Sequence, residues 1–235
     1  MSVNLLYKHD YKITDDVSIV IPTVGEILND EDAYYGIVSS VVAMPIDMCV
    51  QLYDVGIDFT EINEYDLFLM MLGGFKELDT SLVFKDIDLK NFQIAKSEKN
   101  DQLVLIDQEH DIVIDRAVYD RSATLLRKIH GYEKDTRTMG NEDAKKYFIE
   151  RARKKLKRSS RNKDSQLEPL IVAMVNTEQF KYDYDGVLNL TIYQFNECVR
   201  QIIKKVDYDN RIFGIYSGTI SAKDIKKDEL NWLVH

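Results

Sequence analysis

The chain has 235 residues, of which 45% are apolar and 30% charged, and carries a net charge of −9. These values exclude a disordered tail and give enough length to bury a real hydrophobic core. The longest apolar stretch, Ile37 to Met44, is interrupted by Ser39 and Ser40 and is too short to span a membrane.

Met1 to Asp10 lacks the basic start, apolar run and small-residue cleavage site of a signal peptide, so a cytoplasmic protein is expected. Ile13, Val17, Ile19 and Ile21 alternate with polar residues around Asp15-Asp16, which predicts a strand or hairpin over Lys12 to Ile21. Pro22 opens a short helix, Thr23 to Leu28. Asn29-Asp30 caps the next, Glu31 to Ala43, which Pro45 ends. A helix from Ile46 to Asp54 stops at Gly56, and Asn63 begins another, Glu64 to Leu72, ended by Gly73-Gly74. The apolar residues of that helix cover nearly its whole circumference, so it is central to the core or covered by a partner.

The middle of the chain is β-prone. Leu89 to Ala95, Leu103 to Ile106 and Ile112 to Ile114, separated by turns at Ser97 to Asp101 and Asp107 to Asp111, predict an antiparallel meander over residues 88–115. Arg116 to His130 is a helix stopped by Gly131. A polar loop follows, and Asn141 caps a basic helix from Glu142 to about Arg158. Ser159 to Gln166 reads as a linker. Helices are then expected over Leu167 to Phe180, Thr191 to Val206 with a Thr191/Gln194 capping box, Tyr208 to Tyr216, and Ala222 to Leu233.

Charge is segregated along this order. Residues 1–80 hold 15 acids and 3 lysines, whereas residues 144–163 hold 10 lysines or arginines and one glutamate. Such asymmetry suggests contact with a partner subunit, with nucleic acid, or with the same chain folded back. On the basic helix Ala144, Phe148, Ala152 and Leu156 recur every four residues. The candidate partner-binding residues are Phe148, Arg151, Arg153, Lys154, Lys155, Leu156, Lys157 and Arg158. Three readings stand open for them: phosphate contact, docking in an acidic groove with the apolar stripe as anchor, or a solvated charged face.

Little else suggests chemistry. The four histidines are scattered, and Glu109-His110-Asp111 sits in an expected turn. Asp183-Tyr184-Asp185-Gly186 fails the calcium-loop register because residue 192 is Ile192, and it reads as a turn after the helix Leu167 to Phe180. No phosphate-loop, dinucleotide, nucleophile-elbow or zinc-protease motif occurs, so neither enzyme activity nor a cofactor or metal is expected. Cys49 and Cys198 lie in apolar helical patterns and read as buried reduced thiols.

Two stretches carry a resemblance. One is Ile21-Pro22-Thr23-Val24-Gly25-Glu26-Ile27-Leu28, followed by Tyr34-Tyr35 and by Leu52-Tyr53-Asp54-Val55-Gly56-Ile57-Asp58. The other is Ile192-Tyr193-Gln194-Phe195-Asn196-Glu197-Cys198-Val199-Arg200-Gln201-Ile202, followed by Gly214-Ile215-Tyr216-Ser217-Gly218. Both resemble proteins of the morphogenesis gene clusters of tailed bacteriophages of low-GC Gram-positive hosts, of tail assembly chaperone type. The resemblance implies a mostly helical cytoplasmic protein that coats a hydrophobic tape-measure partner during tail assembly, and it brings no catalytic residues. A structural virion component (neck, tail or baseplate) is the alternative, and a nucleic-acid-binding regulatory module is a third.

The expected architecture is α+β and helix-dominated, with self-association left open. Its parts are an acidic N-terminal lobe (1–87), a β-meander plus helix (88–140), the basic helix and linker (141–166) and a helical C-terminal lobe (167–235).

Overall fold

The structure, a computed structural model, describes residues 4–97, 101–159, 165–221, 223, 225–226 and 228–233. It is an α+β, helix-dominated fold with a small three-stranded sheet set among the helices. Strands β1 (Asp10–Lys12) and β2 (Ser18–Val20) form the expected hairpin, with Tyr11 opposite Ile19. Helices α1 (Val24–Asn29), α2 (Glu31–Val42), α3 (Cys49–Asp54) and α4 (Glu64–Met70) follow. The short α5 (Leu72–Phe75) and α6 (Ser81–Phe84) lead to strands β3 (Gln93–Lys96), β4 (Leu103–Asp107) and β5 (Ile112–Ile114). These pair antiparallel in the order β3-β4-β5, the predicted meander; residues 98–100 of its first turn lie outside the described residues. The rest is α7 (Arg116–His130), α8 (Glu142–Ser159), α9 (Leu167–Val175), α10 (Tyr184–Leu188) and α11 (Ile192–Tyr216).

Local signals set most helix ends. Thr23 and Thr191 each accept from the backbone N–H three residues on, while Glu26 and Gln194 return the bond as reciprocal capping boxes. Gly56 and Gly131 end α3 and α7 with φ of 78° and 68°, a conformation that suits glycine.

One large core joins residues from the N-terminal hairpin to α11. It includes Ile19, Ile21, Ile37, Phe68, Phe75, Phe84, Phe92, Leu105, Leu126 and Phe195. Tyr65 on α4 ties the sheet to the helices by donating to the carbonyls of Leu103 and Ile114 at 3.1 and 3.0 Å. The α4 helix is therefore central: Tyr65, Leu67, Phe68 and Leu69 are buried and Met70 faces out.

The two stretches quoted above meet in space. Val24 donates its N–H to the Leu190 carbonyl and Ile192 donates to the Pro22 carbonyl, both at 2.8 Å, so the twin capping threonines pair antiparallel. This contact joins the start of α1 to the start of α11 across most of the sequence.

Five expectations need correction. The Gly73-Gly74 pair does not end the helical run; it sits inside α5, because Phe75 beyond it is driven into the core. The helix expected over Leu167 to Phe180 stops at Val175, where Asn176 and Thr177 bond back to the carbonyls of Val172 and Ala173 and compete with the helix. Asp183 to Gly186 is not a plain turn, since Asp183 caps α10. The two helices expected over Thr191 to Tyr216 are one, with Lys205 and Asp209 paired one turn apart across the supposed break. The helix expected over Ala222 to Leu233 is absent among the described residues there, which hold 3₁₀ turns such as Asp228–Leu230. Instead, the Trp232 carbonyl accepts from Gln201 at 3.0 Å, folding the segment back on α11.

Of the expected linker, residues 160–164 lie outside the described residues. Ser165, Gln166 and Leu167 all donate to the Glu31 carboxylate, which fixes the entry to α9.

Candidate interaction surfaces

The basic helix α8 has two faces with different uses. Its inner face docks on a second, smaller core made by Ala43, Ile46, Cys49, Val50, Leu52, Phe59 and Leu67. Ile149, only 4% exposed, is the buried anchor, with Phe148 and Ala152 packed beside it. The Phe148 ring lies 6.3 Å from that of Phe59, and the Arg137 guanidinium covers it at 5.1 Å.

Two cations on the edge of this face neutralise acids of the N-terminal part. Lys145 binds Asp58 and Glu142, and Arg153 grips Asp54 with two nitrogens. Lys145, with donors from Thr60, pulls the Asp58 carboxyl down to about 2. Part of the charge asymmetry is thus the chain folded back on itself.

The other candidate residues divide accordingly. Phe148 and Arg153 are engaged within the chain, and Leu156 is 41% exposed at the end of the inner face. Arg151, Lys154, Lys155, Lys157 and Arg158 are exposed. The stripe expected at Ala144, Phe148, Ala152 and Leu156 is shifted, because Ala144 is exposed and Ile149 is the deeper residue. The signal was present in the spacing of 145, 149, 152 and 156, which is a helix face, but a lysine opens it.

A second surface lies on α11. Its first two turns are embedded, with Ile192 and Phe195 fully buried. The stripe then runs out of the core. Val199 still packs partly against it, whereas Ile203 is 56%, Val206 37%, Phe213 74% and Tyr216 86% exposed. Positions 199, 203, 206, 210 and 213 follow the alternating four-three spacing of a coiled-coil seam, with Asn210 as its polar member. From Val199 to Phe213 the seam spans about 21 Å at the helical rise. Asp207 and Asp209 lie beside it.

Among the described residues no group of three or more histidine, cysteine or acidic side chains could hold a metal ion, and no helix is long and apolar enough to cross a membrane. His110 pairs with Asp107 at 2.8 Å, and Cys49 and Cys198 are free thiols whose pKa values burial raises.

Residues 157–235, about a third of the chain, match the family model described as YomV second domain. That segment contains the end of α8 and all of α9, α10 and α11, so it includes the whole exposed seam. The match is consistent with a phage protein and carries no specificity for a tail chaperone. No curated protein and no solved structure matches the chain.

Proposed function

We propose that the chain is a non-enzymatic phage morphogenesis protein of tail assembly chaperone type, which holds a helical, tape-measure-like partner in the host cytoplasm while the tail is built. The exposed seam on α11 carries this reading. A row of Ile203, Val206 and Phe213 turned to water is costly unless something covers it. Its four-three spacing suits a partner helix laid along it, with apolar residues at matching intervals. Asp207 on its margin favours a partner with lysine or arginine beside its apolar row. The partner's own apolar surface would be shielded until tube subunits replace the chaperone.

The test is capture from phage-producing cells with the tagged chain as bait, beside the double variant Ile203→Asp/Phe213→Asp. Both positions are exposed, so the variant keeps its fold, checked by circular dichroism. The wild-type chain is expected to bring down a long helical phage protein and the variant to lose it. Equal recovery by both would overturn the role of the seam.

A further inference from the structure

We propose that the outer face of α8 is a polyanion-binding site that takes the phosphate backbone of nucleic acid. Tyr147, Arg151, Lys154 and Arg158 stand at i, i+4, i+7 and i+11, one continuous face of the helix, with Lys155 at its margin. All five are exposed, Tyr147 at 69%. The row is about 16 Å long at the helical rise.

The acids beneath the helix do not cancel this charge. Asp54 and Asp58 are already paired with Arg153 and Lys145 on the inner edge. The outer row stands across the helix from those pairs, whose diameter with side chains is about 10–12 Å. Those acids already hold cations of their own on the far side of the helix, so the outer row keeps its positive charge. Glu150 is the one acid between residues 144 and 163.

The same geometry disfavours an acidic protein groove as the ligand. A helix that docks in a groove needs apolar anchors on the docking face. Here Phe148, Ile149 and Ala152 are turned into the chain's own second core. The outer face has one ring, Tyr147, and an exposed tyrosine among cations is a surface on which a base can stack. The cations bind the backbone without reading sequence, and the site is separate from the seam on α11.

Fluorescence anisotropy of the full chain with a labelled single strand and a labelled duplex tests the assignment. Contacts from Arg151, Lys154, Lys155 and Arg158 to about four phosphates predict that affinity falls by about 50-fold for the single strand and about 150-fold for the duplex between 50 and 200 mM salt. The triple variant Arg151→Glu/Lys154→Glu/Arg158→Glu is expected to weaken binding at least about 100-fold. A control with the same net charge, Lys96→Glu/Lys181→Glu/Lys226→Glu, should stay within about threefold of wild type, since long-range effects of exposed charge are screened. Tyr147→Ala should weaken the single strand at least about fivefold and spare the duplex. Absence of salt-dependent binding, an equal loss in the control, or polyglutamate bound as tightly as DNA would overturn the assignment.

Discussion

His130, at the end of α7, is enclosed by tyrosines. Its Nε2 lies 3.0 Å from the Tyr34 hydroxyl, its ring stacks on Tyr132 at 5.3 Å, and Tyr35 closes a third side at 5.8 Å. Removal from water disfavours the imidazolium and pushes the pKa from 6.5 down to about 4. The unfolded chain therefore takes up this proton first as pH falls, and stability is lost between about pH 6.5 and 4. At 1.36 kcal/mol per unit the loss is about 2 to 3 kcal/mol by about pH 4.5, and about 3 kcal/mol once pH is below both values. His130 is half-buried, so these are upper figures. Urea denaturation of wild type and His130→Gln at about pH 7.5 and 4.5 isolates the contribution, because all other titrating groups are shared. Wild type should lose about 2 kcal/mol more than the variant over that interval. Parallel losses in the two proteins would refute the placement of a neutral imidazole among these rings.

Other consequences concern packing and the seating of α8. Gly25→Ala would place a Cβ 3.1 Å from the Leu188 carbonyl oxygen, a backbone atom that cannot swing aside, so α1 and α10 must separate at about 1–3 kcal/mol, read by urea denaturation. Phe148→Ala should cost about 2 kcal/mol by the same assay through the contact with Phe59. Phe148→Asp should increase hydrogen exchange throughout α8, reporting fold damage and not a lost partner. Asp58, held near 2 by Lys145, stabilises the seating of α8 above the ordinary carboxylate range and loses that contribution as pH falls through about 2. Lys145→Met should raise the exchange of α8 amides at pH 7 and flatten its dependence on acid.

The parts of this fold legible in the sequence were those fixed within one turn of chain. Asn63, Asn141 and the Thr191 box declare helix starts, and Gly56 and Gly131 declare ends, because each satisfies backbone groups only a few residues away. The meander was legible for the same reason. What escaped depends on distant residues. Phe75 carries a glycine pair into a helix because the core receives its ring. The candidate basic helix was placed correctly, but which of its sides faced inward was decided by Phe59 and the residues around it. The α11 seam became visible only when the helix proved continuous.

The central claim is that this protein assists assembly and then leaves. Quantitative mass spectrometry of purified phage particles, with major tail proteins as internal standards, tests it most directly. The reading predicts that peptides of this chain are abundant in the producing cell and absent from the particle. A fixed copy number in the particle would contradict it and make the chain a structural subunit whose seam is covered permanently.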